Sequence, residues 1–485
     1  MKYIDRINMF NIKRGISYCK RNGIVKTCYK VAERLKRDGD EAGYMQAVLS
    51  GRPTATDLEK QKARSFFHNY KFSILVPAYN TDPLFLKEMI MSVVRQTYEE
   101  WELCIADGSD TDTVENTVKE VKEGLEGSVS DRIRYKRLAS NKGISGNLND
   151  ALVMASGDYV GFLDHDDLLA PDALYEVMNA LDSGMERDGN IYRNRYKALY
   201  TDEDKVNTWG TRYFDPHIKP DFDIDLLRSN NYICHFFVVR TKVAIKAGGF
   251  KSEYNGAQDH DFIFRCLELM DPSQIYHIPK VLYHWRSSLA STAENPDSKL
   301  YAYEAGKRAV TDHLKRLGIK AEVLNTSHLG FFRVKYIPTT LNIRLMTRAE
   351  WEGMKRDDFN VIKEPFIMVT GDRIYPLSAD YLSELAGTLC RKEVGAVGGK
   401  IYDRQGKIDS AGYTYDANGK LVADFRGMNG NFSGYLHRAS IQHKTDGLAA
   451  DCMMLKKEAI AFDDKPVISD RYITVYDPYA EFKRK

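Results

Sequence analysis

The chain has 485 residues, 43% of them hydrophobic and 28% charged, with a net charge of +2. That length exceeds one hydrophobic core and implies two or three domains, while the near-neutral balance argues against a bulk electrostatic draw toward nucleic acid. No run of about 18 apolar residues occurs, so no spanning helix is expected, and the seven cysteines include no C-x-x-C pair and read as a reduced, cytosolic set.

Residues 1–70 read as a helical, polar preface. Residues 1–37 carry 11 Lys and Arg against two acidic residues, Asp5 and Glu33, with Ile4, Ile7, Met9, Phe10, Ile12 and Ile16 interleaved. A basic amphipathic segment of this kind lies on an anionic membrane surface or packs one face on the body. It lacks a continuous apolar core before a cleavage site, so a signal peptide is not expected.

Strand and helix signals then alternate. FSILVP (72–77) is an apolar strand, and Pro83 opens a helix that runs through Gln96. WELCIAD (101–107) is a strand, 111–126 a helix and RIRYKRL (132–138) an alternating strand. A helix over 145–155, a strand over 158–163, a helix over 171–182 and a strand over 197–202 follow. The alternation implies a mostly parallel sheet with helices on both faces. Ligands bind such sheets beyond the carboxyl ends of the strands. Asn80, Asp107, Asp164 to Asp166 and Asp202 all fall at those ends.

The stretch YVGFLDHDDLLAP (159–171) holds the densest chemistry. An apolar strand ends in Asp164, His165, Asp166 and Asp167. Carboxylates at a buried strand end cost desolvation unless a cation or hydrogen-bonding ligand meets them. An Asp-x-Asp suits a hard divalent ion carried with a phosphate-bearing substrate. The alternative is an acidic turn before the helix at Pro171.

The tail repeats part of the body. PFIMVTGDRIYPLSADYLSEL (365–385) echoes 157–177 at an offset of 208, which sets Asp372 opposite Asp164 but Ile374 opposite Asp166. GAVGGKIYDRQGK (395–407) echoes 193–205, and ADCMMLKKEAI (450–460) echoes CHFFVVRTKVA. Too few residues precede the tail's first echo for a nucleotide-binding half, so 331–485 reads as a shortened copy without catalysis of its own.

VPAYN (76–80), SVVRQTYEEWELCIADGSD (92–110), NKGISGNLNDAL (141–152), LDHDD (163–167), YTDEDK (200–205), GAQDHDFIFR (256–265) and LYHWR (282–286) occur in that order. Together they resemble the family 2 glycosyltransferases, within them the rhamnan, O-antigen and cell-surface polysaccharide group. The resemblance covers roughly residues 65–315. It implies an α/β, GT-A fold over 71–325, preceded by the helical segment 1–70 and followed by a degenerate GT-A-like domain. It also implies an inverting, metal-dependent transfer from a UDP- or dTDP-sugar to a saccharide or lipid-linked glycan acceptor. The expected setting is cytoplasmic, with peripheral membrane contact through 1–37.

The resemblance carries roles over residue by residue. Pro77 and Tyr79 would wall the base and ribose, and Asp107 would accept from a pyrimidine N3–H, a reading favoured over its alternative, an Asx turn with Gly108 and Ser109. Lys142 and Gly143, just before a helix, would meet phosphate. Asp166 would ligate the metal directly, with Asp164 on ribose or metal, His165 beside the nucleotide and His284 completing the ion's shell. An imidazole ligand points to Mn2+ over Mg2+. Arg286 would clamp the leaving diphosphate, and Asp259 would be the general base, with Asp261 as fallback. Gln258 stands where many members carry Glu. Asp202, Glu203, Asp221 and His235, with Lys219 and Asn231, would line the acceptor or donor sugar. Three other readings compete. A sugar nucleotidyltransferase would want a Gly-rich basic loop where this chain has AYNTDP, and a nucleic-acid binder would want a fold motif beside the basic segment. A catalytically inactive carbohydrate-binding scaffold is the third.

Overall fold

The computed structural model describes residues 48–188, 191–287, 300–462 and 465–485, with scattered positions between 16 and 46. The basic segment 1–37 lies almost wholly outside the described residues. No helix among the described residues is long and apolar enough to cross a membrane. The body of the chain divides into two compact units. The first runs to Phe222 and resumes over Asn231–Ala309; the second takes Asp223–Asn230 and Val310–Lys485. The second unit thus takes in residues that the expected 71–325 boundary leaves in the first.

In the first unit the expected alternation is present. Strand β1 (Phe72–Ala78) is buried at every residue, as a central parallel strand requires. Helix α1 (Pro83–Val94) starts where Asp82 accepts from the Leu84 N–H at 2.8 Å and Pro83 needs no donor. Then come β2 (Trp101–Asp107), α2 (Thr113–Glu123), β3 (Ile133–Arg137), α3 (Gly143–Met154), β4 (Tyr159–Phe162), β5 (Leu168–Leu169) and α4 (Ala173–Ser183). The chain continues through β6 (Ala198–Asn207), β7 (Tyr213–His217), β8 (Phe237–Arg240), α5 (Gln258–Leu267) and β9 (Ile275–Ser287). The sheet order is β3-β2-β1-β4-β8-β6-β9-β5, with β7 on β6. β1 is parallel to β2 and β4, whereas β8 runs antiparallel between β4 and β6. The order reverses at β1 and β4, where such sheets open a ligand crevice.

The second unit contains β10 (Ile343–Thr347), β11 (Phe366–Thr370), β12 (Ile374–Pro376), α6 (Tyr381–Leu389), β13 (Val394–Tyr402), β14 (Cys452–Lys456) and β15 (Ile473–Arg484). Its main sheet runs β10-β11-β14-β13-β15-β12. The senses are parallel, antiparallel, antiparallel, parallel and antiparallel. That is the order and sense of β1-β4-β8-β6-β9-β5. The repeat read in the sequence is therefore a repeat of topology, without counterparts of β2 and β3. The loop between β4 and β5 is Leu163–Asp167, with three carboxylates; the loop between β11 and β12 is Gly371–Arg373, with Asp372 alone. Helix Ile224–Ser229 belongs to this unit because buried Asp225 accepts from Arg391 Nη2 at 2.9 Å and also pairs with its Nη1.

Candidate active site

The loop Leu163–Asp167 leaves the carboxyl end of β4, and β9 passes beside it. Side chains alternate along a strand. Tyr283 accordingly points to the loop: its hydroxyl donates to Asp167 Oδ2 at 2.5 Å and accepts from the Asp164 N–H at 3.3 Å. Asp167 Oδ1 accepts from the Arg286 N–H at 2.7 Å. Burial pushes the Asp167 carboxyl well above its usual value. Asp164 is half-buried; burial raises its carboxyl too, helped by Asp166 and Asp259 and opposed by His235. Among the described residues, no lysine or arginine forms an ion pair with Asp164 or Asp166.

Asp164, Asp167 and His235 each offer one potential ligand atom, all within 4.8 Å of one another. Two carboxylates and an imidazole, uncompensated by any protein cation, fit a divalent ion that accepts both oxygen and nitrogen donors. The structure groups these residues differently from the expectation of Asp166, Asp164 and His284. Asp166 lies next door, with 29% of its side chain exposed and His165 Nδ1 at 3.9 Å. His284 is turned away from the group because it lies opposite Asp204 in the register of β6 and β9, and its Nδ1 meets Asp204 Oδ1 at 2.6 Å. His235, expected on the sugar side, lies within the group instead. Its ring stacks on Tyr283 at 4.6 Å.

A pocket adjoins this group. Asp164, Cys234, His235, Gln258 and Asp259 supply its polar wall, and Phe162, Phe237, Phe250 and Phe262 line its apolar side. Asp259, in the first turn of α5, accepts from Asn231 Nδ2 at 2.8 Å, with the Cys234 thiol at 3.5 Å. The fallback base, Asp261, is fully buried and pairs with Arg265 at 2.6 Å, facing away from the pocket's lining. Of the two carboxylates, Asp259 is the one that lines the pocket.

Other expected residues hold the frame. Arg286 is fully buried. It donates from Nε to the Asp166 carbonyl (2.6 Å), from Nη1 to the Thr208 carbonyl (2.7 Å) and from Nη2 to Glu88 (2.6 Å). It clamps the acidic loop rather than standing free as a diphosphate ligand. Asp107, also fully buried, forms the Asx turn, accepting from the Ser109 N–H at 2.8 Å and the Tyr135 hydroxyl at 2.7 Å. Pro77 is buried in β1, and Tyr79 is 42% exposed, its hydroxyl on Asp110. Lys142 pairs with Asp150 at 2.7 Å, and Gly143 opens α3 at φ +72°, a conformation that favours glycine.

Asp202 accepts from the Lys219 N–H and meets His277 Nε2, both at 2.9 Å; His277 Nδ1 reaches exposed Asp221 at 3.3 Å. Burial alone would raise the Glu203 carboxyl, but Lys219 and His217 hold it well below its usual range. Lys219 Nζ also donates to the carbonyls of Ile233, at 2.8 Å, and His235. The Asp202–Glu203–Lys219 group is therefore a buried support for the His235 turn and not a set of open sugar ligands. Sequence reasoning missed Tyr283; the two-residue period through LYHWR, which sets Tyr283 and His284 on opposite faces, is the signal that finds it.

Residues 73–247 match the family described as Glycosyl transferase family 2. The chain is 31% identical over 467 residues to the uncharacterized protein y4gI of Sinorhizobium fredii (strain NBRC 101917 / NGR234), covering 83% of this chain and 49% of that one. It is 35% identical over 264 residues to the O-antigen biosynthesis protein RfbC of Myxococcus xanthus, covering 54% and 19%. To the chondroitin synthase of Escherichia coli it is 27% identical over 288 residues, covering 59% and 37%. The chain spans less than half the length of each of these relatives.

Proposed function

From the match of residues 73–247 to Glycosyl transferase family 2, we propose that the first unit moves a sugar from a nucleotide-sugar donor, UDP- or dTDP-linked, to a saccharide or lipid-linked saccharide acceptor during surface polysaccharide assembly. Relatives named for O-antigen biosynthesis and chondroitin synthesis support that setting. The carrying observation is that Asp259 and Asp164 share one pocket wall with His235, at the carboxyl end of β4. Asp259, oriented by Asn231, takes the proton from the acceptor hydroxyl as that oxygen attacks the anomeric carbon. Direct attack by the acceptor oxygen, with Asp259 as the base, inverts the anomeric centre. Asp164, Asp167 and His235 would hold a divalent ion, Mn2+ or Mg2+, which when bound supplies charge stabilisation to the departing nucleoside diphosphate. The apolar wall of phenylalanines excludes water from the reacting centre, which favours transfer over hydrolysis.

With Mn2+ and a panel of UDP- and dTDP-sugars, Asp259→Asn should lower the transfer rate by about 10²- to 10⁴-fold while nucleotide binding persists. Asp164→Asn should abolish the metal dependence. Transfer that continues undiminished in Asp259→Asn would remove it as the base. The basic segment 1–37 supports peripheral contact with an anionic membrane. Its deletion should release the protein from anionic liposomes in a flotation assay, and unchanged partitioning would exclude that contact.

A further inference from the structure

Of the chain's four tryptophans, Trp101 and Trp351 are buried and Trp285 is half-buried, but Trp209 is 71% exposed. A single exposed apolar side chain is ordinary on a protein surface. What sets Trp209 apart is its mount. It sits at the tip of the hairpin joining β6 and β7, in a turn closed by the Gly210 N–H on the Asn207 carbonyl at 2.9 Å. Asn207 Oδ1 braces the same turn, accepting from the N–H groups of Thr211 (2.8 Å) and Arg212 (3.0 Å). Gly210 has φ +69°, and a Cβ there would approach Glu88 and Arg286 at 3.6–3.7 Å. The carbonyl just before the indole, on Thr208, accepts from Arg286 Nη1, whose Nε holds the Asp166 carbonyl. The Thr208 hydroxyl donates to the Ser287 carbonyl at 3.0 Å. A large, solvent-facing ring is thus fixed on a stiff turn and fastened, through one buried guanidinium, to the acidic loop of the site.

We propose that Trp209 is a stacking platform for the saccharide acceptor, receiving the apolar C–H face of a pyranose ring at the rim of the site. This rests on the glycosyltransferase reading and adds to it the acceptor's docking residue. Pyranose rings present one face of C–H groups and an edge of hydroxyls. A rigid indole covers that face at little entropic cost, because the turn is already ordered.

The full chain is tested on an array of defined oligosaccharides and, separately, for donor hydrolysis without acceptor. Trp209→Ala should weaken retention of the glycans that wild type binds by about tenfold, the loss of roughly one aromatic contact, and Trp209→Phe should restore most of it. Donor hydrolysis and the thermal midpoint should stay as in wild type. Retention unchanged in Trp209→Ala, or a wild-type chain that hydrolyses donor but retains no glycan, overturns the platform. A wild-type chain that hydrolyses no nucleotide sugar at all overturns the transferase reading beneath it.

Discussion

Single carboxylates in this chain take opposite fates according to what surrounds them. Asp261 and Asp225 are buried against guanidinium groups, whereas Asp164 and Asp167 are withdrawn from water without one, which raises both carboxyls. Asp477, in the second unit, is a third kind. Burial, with Glu384 nearby, pushes its carboxyl up to about 7, although Thr388, Gln442 and the Tyr479 N–H all donate to it. The folded chain therefore holds a proton there that the unfolded chain has released above about pH 4. Stability from this group is full below that point and is lost as pH rises toward about 7. Thermal melts of wild type should fall over that window, and Asp477→Asn should flatten the fall. A wild-type and variant pair with the same pH slope would show the group to be silent. That a carboxylate cluster ends β4 was legible in the sequence, because it stands in an ordered series of motifs at strand ends. That His235 and not His284 lies with Asp164 and Asp167 was not legible, because it depends on which residue of β6 lies beside β9.

Elements meet the site through Arg286. Its position at the end of β9 lets one side chain reach the β4–β5 loop, the β6–β7 hairpin and α1 together. Arg286→Met keeps the stem but orphans the Asp166 and Thr208 carbonyls. It should cost about 3 kcal/mol, read as a lower urea midpoint. It should also lower kcat by shifting the acidic loop. Unchanged stability with a raised donor KM would instead return Arg286 to the role of diphosphate ligand that the motif implied. The strands and helices themselves were readable because β1 and β2 are mostly apolar and buried at every residue and α1 opens on Asp82-Pro83. The β6–β7 hairpin was not anticipated. Its turn, NTWG, lacks the short Asn-Gly signal, and Asn207 closes it through side-chain hydrogen bonds.

At the scale of the whole molecule, two sheets share one strand order, but only the first carries β2, β3 and the longer acidic loop. Nucleotide sugar with Mn2+ should therefore stabilise the first unit alone. At about 100 times Kd the gain is roughly 2.7 kcal/mol, and calorimetry should show one transition moving while the other stays. Movement of both would assign a ligand site to the second unit as well. The sequence by itself determined the class of fold, the repeat and the family resemblance, since these rest on hydrophobic period and on ordered motifs along the chain. It also determined that a carboxylate cluster ends β4. Tertiary structure alone decided which carboxylates face one another, that Arg286 is buried in contact with the acidic loop, that Asp202 and Glu203 are buried, and that Trp209 is exposed on the β6–β7 turn. Those outcomes turn on the pairing of distant strands and on which charge finds a counter-charge after burial, and neither is encoded in local spacing.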